Sequence, residues 1–239
     1  MENSIYLGLS RQSVLRTNMD IVANNVANMN TTGFRAQNIL FEEYISDPAR
    51  NDDPLSFVYD YGEYQNTSAG SHTQTGNPLN VAVSGPGFIA IQAPGGQTAY
   101  TRDGNFHMMP DGTLATSSGY PVLGAGGPIA IPAGSTEIVI DRNGVVMNQN
   151  GQLGQIQLVE FQNVQNLEAM GNNLYKTTAP VIQAAQSKLE QGFLEGSNVN
   201  PIIEMNRMIE ILRDFQSTQR LLDTENERLL TAVQKLTKV

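Results

Sequence analysis

The sequence predicts an α+β fold in which an N-terminal and a C-terminal helix pair as a coiled-coil-like domain, with a mostly antiparallel β domain inserted between them. Three observations predict it. Apolar residues recur at steps of three and four at both ends of the 239-residue chain, short Val-, Ile- and Tyr-rich runs fill its middle, and turn dipeptides separate those runs. The expected layout is an N-terminal helix over 1–33, an extended linker over 34–75, a β-rich outer domain over 76–193 and a C-terminal helix over 194–239.

From Met1, alternating steps of four and three reach Ile5, Gly8, Gln12, Leu15, Met19, Val22, Val26 and Met29, which form one helical stripe. Asn30-Thr31-Thr32-Gly33 then supplies turn chemistry, so the helix is expected to close near Met29. Residues 34–75 hold no sustained period and carry Pro48, Pro54, Gly62 and Gly70, which reads as an extended, loosely structured connection with room for a short strand or helical turn. Tyr44, Tyr59, Tyr61 and Tyr64 fall in it, and their rings are expected to pack on the chain's own domain or on a neighbouring subunit.

Between Gly76 and about Ala185 the runs are separated by Gly-containing turns. Asp103-Gly104, Asp111-Gly112, Asn143-Gly144 and Asn150-Gly151 are dipeptides that tolerate the positive φ of tight hairpins. The result is an antiparallel domain with no βαβ unit. After Gly196 the chain turns helical again: Asn200 is placed to cap, Pro201 occupies the first helical position, and neither Gly nor Pro follows. Steps of three and four lead through Met205, Met208, Leu212, Phe215, Gln219, Leu222, Asn226, Leu229, Val233 and Leu236. Such a seam would run roughly 55 Å at 1.5 Å per residue, with Gln219 and Asn226 as polar register-setting positions. Two helices alone are marginal once chain entropy is counted, so further helices are expected from other copies or related chains.

Composition removes several function classes. Fourteen Lys and Arg against 23 Asp and Glu leave a net charge of −9, which builds no basic surface for nucleic acid. With no Cys there is no disulfide, thiolate metal site or cysteine nucleophile. No run is long and apolar enough for membrane insertion, and the first residues lack the layout of a cleaved secretory signal. No catalytic residue, cofactor, metal site or small-molecule substrate is expected. His72 and His107 are the two histidines, and no G-x-S-x-G elbow frames a serine. Glu42-Glu43 and Asp52-Asp53 are adjacent, so on regular structure their side chains diverge. Asp141-Arg142-Asn143-Gly144 opens like a calcium loop but has Gly at its fourth position and Gln152 at its twelfth. Gly124-Ala125-Gly126-Gly127 precedes Pro128 and a strand where a dinucleotide site needs a helix N-terminus.

Specific strings give a resemblance. ANNVANMNTTGFR (Ala23–Arg35) resembles the N-terminal signature of flagellar axial proteins, the rod and hook family, and LEGSNVNPIIEMNRMIEILRDFQ (Leu194–Gln216) resembles its C-terminal signature. The stretch from Gly76 to Gly124 resembles the β core shared by hook and rod subunits, and Gly127–Val146 is most similar to proximal-rod members. The chain departs from the family where Phe88-Ile89 stands in place of two aromatics, and where Arg213-Asp214-Phe215-Gln216 replaces an Arg-x-Phe-Glu string.

The resemblance implies a structural subunit of the basal-body rod, polymerising through its terminal helices to transmit torque. Its implied partners are other rod proteins, copies of itself and the flagellar export apparatus. The implied location is the periplasm-spanning rod, reached without signal cleavage. The expected assembly interface comprises Leu15, Met19, Val22, Asn24, Asn25, Val26, Asn28, Gly33, Phe34, Ser197, Asn198 and Val199, together with Met205, Met208, Leu212, Phe215, Leu222, Leu229, Val233 and Leu236. The amides of Asn24, Asn25 and Asn28 would bridge groups across packed helices or be solvated. Alternatives are a distal-rod or hook paralogue, a β-rich binding or fibre module trimerised by its helices, and a hydrolase using His107.

Overall fold

The computed structural model describes residues 2–46 and 55–236, with side chains described for 5–42 and 62–236. The chain divides into two compact units. One comprises Met1–Ala27, Gln37–Tyr64 and Asn200–Val239; the other comprises Asn28–Ala36 and Gln65–Val199.

In the first unit, α1 (Glu2–Ala27) packs against α2 (Pro201–Leu236). The pair is antiparallel, because contacts run from Gly8 opposite Leu222, through Gln12 on Gln219, to Asn25 on Glu204. A Cβ at Gly8 would lie 2.6 Å from Leu222 Cδ2, so the small residue in the stripe is what admits the leucine. Gln12 Nε2 donates to Gln219 Oε1 at 2.5 Å, tying two positions that both sequence stripes contain. Asn200 caps α2: its side-chain oxygen accepts from the backbone N–H of Ile202 at 3.1 Å and of Ile203 at 3.4 Å.

Residues 34–75 differ from the expected connection. They carry β1 (Gln37–Ser46) paired with β2 (Leu55–Gln65), strands of 10 and 11 residues. Pro48 and Pro54 lie between these strands rather than within them, so the breakers punctuate the segment without interrupting either run. Tyr64 is exposed, whereas the side chains of Tyr44, Tyr59 and Tyr61 lie outside the described residues.

The second unit is antiparallel throughout. Its strands are β3 (His72–Gln74), β4 (Val81–Ser84), β5 (Phe88–Gln92), β6 (Thr98–Thr101), β7 (Phe106–Met108), β8 (Leu114–Thr116), β9 (Leu123–Gly124), β10 (Gly127–Pro128), β11 (Val139–Ile140), β12 (Val145–Asn148), β13 (Gly151–Gln155), β14 (Leu158–Glu160), β15 (Glu168–Gly171), β16 (Leu174–Lys176), β17 (Ile182–Gln183), β18 (Lys188–Gln191) and β19 (Phe193–Glu195). Six form one sheet in the order β15-β16-β6-β5-β14-β17. The unbroken apolar run of β5 is buried on both faces: Ile89 and Ile91 join the main core with Val81, Phe106, Leu114, Val122, Ile131, Ile156 and Leu189. Phe88 and Ala90 join a second cluster with Tyr100, Phe161 and Tyr175. Phe88 meets Phe161 edge-on at 5.6 Å and Tyr175 at 5.8 Å between ring centroids.

Three of the four expected hairpin dipeptides fall where the chain turns between strands: Asp111-Gly112 between β7 and β8, Asn143-Gly144 between β11 and β12, and Asn150-Gly151 at the β12–β13 turn, with Gly151 already the first residue of β13. Asp103-Gly104 does not. Gly104 makes a close backbone approach instead, its carbonyl accepting from Val81 N at 3.0 Å, and a Cβ there would fall 1.7 Å from Val81 O. The β15–β16 hairpin turns on Asn172-Asn173, both at positive φ (51° and 56°).

Candidate assembly surface and motif clasp

On α2 the residues turned inward are Glu204, Ile211 and Thr218, with Met208, Phe215, Leu222, Glu225 and Leu229 half-buried. They follow one another at steps of four and three, so the covered stripe shares Met208, Phe215, Leu222 and Leu229 with the sequence-derived seam. The other half of that seam is uncovered: Met205 is 46% exposed, Leu212 47%, and Val233 and Leu236 are more exposed still. Ile202 at 72% and Ile209 at 48% lie at the same spacing, giving Ile202, Met205, Ile209 and Leu212 as a continuous apolar stripe over the first three turns. After a polar interval, Leu230 and Val233 resume it.

On α1, Val22 is buried, and Leu15, Met19 and Val26 are half-buried. Leu15, Ile21, Val22, Ile39, Phe41, Tyr64 and Ile211 contribute to a groove of about 350 Å³ within this unit. Asn24 is exposed and donates to Gln37 Oε1 at 3.1 Å. Asn25 is fully buried: its amide closes a two-way bridge with the Gln37 backbone (2.9 Å to N, 2.8 Å to O) and donates to Glu204 Oε2 at 3.2 Å. Arg207 NH1 reaches the other oxygen of Glu204 at 3.2 Å, so this buried carboxylate is not left uncompensated.

The remaining motif residues work inside the β unit. Asn28 accepts from the Thr31 hydroxyl at 3.1 Å, and Ser197 accepts from Val199 N at 3.2 Å. Phe34, Ala36 and Val199 form a small buried cluster with Met29 beside it. Asn198 stitches three strands of chain, accepting from Ala36 N at 2.7 Å and donating to Asn66 O at 3.0 Å and Ser68 O at 2.8 Å. Gly33 has φ 67° and lies against the backbone of Arg102, where a Cβ would meet the carbonyl carbon at 2.5 Å. Only a residue without a side chain fits there.

At the centre sits an ion pair that no sequence period signals. Arg102 is 0% exposed, and its Nε and NH2 donate to Glu195 Oε2 at 2.8 and 2.6 Å. Its remaining donors go to the carbonyls of Val83 (3.1 Å), Gly85 (2.7 Å) and Gly87. Arg35, also buried, donates to Thr67 O at 2.8 Å, and both guanidiniums lie over the Phe88 ring. Burial pulls Arg102 down to about 10 and lowers Arg35, opposed in each case by Glu195; Arg102 remains charged at neutral pH. The N-terminal string, the C-terminal string and the Thr101-Arg102-Asp103 corner of the β core thus meet at one point.

Among the described residues no group of three or more His, Asp or Glu could hold a metal ion, and no helix is long and apolar enough to cross a membrane. His107 lies exposed on β7, and His72 shares Nδ1 with Glu190 at 3.2 Å.

A β unit closed by segments from both flanks of the chain, together with a helix pair bearing an uncovered apolar stripe, is the build of an assembly subunit. Three family models match: "Flagella basal body rod protein" at 5–35, "Flagellar hook protein FlgE/F/G D1 domain" at 82–148 and "Flagellar basal body rod FlgEFG protein C-terminal" at 190–235. The chain belongs to the flagellar basal-body rod protein family and is a structural subunit of that rod. It is similar to the flagellar basal-body rod protein FlgF of Caulobacter vibrioides, at 39% identity over 100% of both chains. It is also similar to FlgF of Mesorhizobium japonicum, at 37% over 93% of this chain and 92% of the relative. The rod protein FlgG of Bacillus subtilis is 33% identical over 96% of this chain and 97% of its own.

Proposed function

We propose that this subunit polymerises through its terminal helices in the proximal segment of the rod and transmits torque through the packed helical layer, performing no chemistry of its own. The observation that carries this reading is the stripe Ile202, Met205, Ile209 and Leu212, an apolar seam on a helix that already covers a separate stripe against α1. Such a stripe on an isolated chain asks for a neighbour. Within the expected interface, the exposed members Met205, Leu212, Val233 and Leu236 make the intersubunit contact. Leu15, Met19, Val22, Val26, Met208, Phe215, Leu222 and Leu229 hold the helix pair that presents it. The contact is heterologous, which gives an open helical polymer rather than a closed ring.

Its partners are copies of itself and other rod proteins, and the similarity to both FlgF and FlgG chains supports packing among related helices. We assign delivery to the flagellar export apparatus, without signal cleavage, and location to the periplasm-spanning part of the basal body. The test is electron cryomicroscopy of basal bodies from cells lacking this chain, beside the same cells with it restored. A rod that stops near the inner membrane and is regained on complementation is the expected result; an intact rod without the chain overturns the reading and favours the binding-module alternative.

A further inference from the structure

The β unit is not built from one continuous stretch. It comprises Asn28–Ala36 as well as Gln65–Val199, and these segments meet on a single carboxylate. Glu195 Oε2 takes both Arg102 donors, Oε1 accepts from Gly70 N at 3.2 Å, and the Glu195 backbone carbonyl accepts from Gly33 N at 2.8 Å. The next residue continues the closure, Gly196 N donating to Ser71 O at 2.8 Å. A Cβ at Gly70 would strike the Gly196 carbonyl oxygen at 1.9 Å, so the two backbones touch.

The charge count makes this closure conditional. Two guanidiniums, Arg35 and Arg102, are buried over one ring, and Arg35 Nε is a buried donor with no hydrogen-bond partner. Glu195 is the carboxylate that faces them. Without it the two guanidiniums would lose the carboxylate that faces them, at a desolvation cost that exceeds what the surrounding carbonyls return. Arg102 cannot simply swing to solvent, because the carbonyls of Val83, Gly85 and Gly87, which shape the β4–β5 connection, are held by it.

We propose that Glu195 is a closing latch: the β unit stays open until the segment Phe193–Val199 is available, so that a domain whose first strand begins at His72 folds only when nearly the whole chain is present. Partial chains are thereby kept from burying the arginine pair. The consequence for delivery rests on the export reading above: a subunit threaded through a channel would not close its β unit prematurely. The latch itself is a property of the isolated chain.

The test is pulse-labelled hydrogen exchange during refolding of the full-length monomer, with Glu195→Gln and Glu195→Ala beside wild type. In wild type, the amides of Ala90 and Ile91 on β5 gain protection in the same phase as those of Gly33 and Gly196. In Glu195→Ala the β-unit amides exchange on the order of 100-fold faster or more, and in Glu195→Gln, which keeps the acceptor oxygen but not the charge, the shared phase slows. Protection of β5 in a phase that precedes Gly33 and Gly196 in wild type would overturn the latch, as would β5 protection unchanged in Glu195→Ala. Neither readout depends on rod assembly or export, so its failure leaves the proposed function standing.

Discussion

The helical unit and the β unit handle apolar surface in opposite ways. In the β unit the large aliphatic side chains of β4, β5 and β8 are buried to completion, and exposed ones such as Met108, Val139 and Met170 are scattered. In the helical unit α2 spends one stripe on α1 and leaves another of the same spacing uncovered. Polar links differ in kind. The β unit closes on a fully desolvated ion pair, whereas the helices are joined by the buried Asn25–Glu204 hydrogen bond and by an ion pair, Arg11 with Asp214 at 3.5 Å, that is more than half exposed and contributes little. The contrast teaches that one unit buries its apolar surface by itself, whereas the other keeps an apolar stripe uncovered, as the proposed assembly requires.

The largest effect that would break this contrast is in the β unit. Arg102→Met leaves Glu195 buried without its partner and is expected to cost about 3–5 kcal/mol, measured as a drop in the denaturant midpoint with β-unit probes. Gly33→Ala forces a side chain into positive φ against the Arg102 backbone; a loss of about 1–3 kcal/mol is expected, on the same assay. In the helical unit, Asn25→Ala strips both bridges to Gln37 and the contact to Glu204. It should lower stability by about 1–3 kcal/mol, seen as earlier loss of the helical circular-dichroism signal on heating.

A smaller effect concerns acid. Glu160 loses hydration to burial, yet it accepts from Ser187 Oγ and from the N–H groups of Gln186 and Ser187, which hold its carboxyl below the usual carboxylate range. A depressed value means that its contribution is present above the unfolded carboxylate range and is lost as pH falls through the folded one. Glu160→Gln should therefore flatten the acid limb of a stability profile by lowering the neutral plateau, the two proteins converging in acid.

Much of this architecture is legible from residue spacing. The α1 stripe, the Asn200-Pro201 start of α2 and the Asp111-Gly112 turn each follow from local rules, since cap and turn chemistry acts within a few residues. Which of two apolar stripes on α2 is covered is not local: Glu204 and Thr218 lie on the covered side and read as solvent-facing until Asn25 and α1 are placed against them. The β1–β2 pair is hard to read from spacing because Pro48 and Pro54 break the period of the segment, although both fall at sequence positions outside the two strands. Arg35, Arg102 and Glu195 share no period, and their pairing depends on strand order across long sequence separations. The resemblance strings mark these segments, but the strings alone do not tell that Gly33, Phe34, Asn198 and Val199 turn into the β unit.

The claim that the uncovered stripe is completed by neighbours is tested most directly by Leu212→Asp in cells lacking the native chain. Leu212 is half exposed, so the purified variant should match wild type in solution stability within about 0.5 kcal/mol. A charge within a dry helical layer is nonetheless costly, and basal bodies from these cells should lack the variant and stop short in the rod. Basal bodies of normal length carrying Leu212→Asp in wild-type amounts would contradict the account.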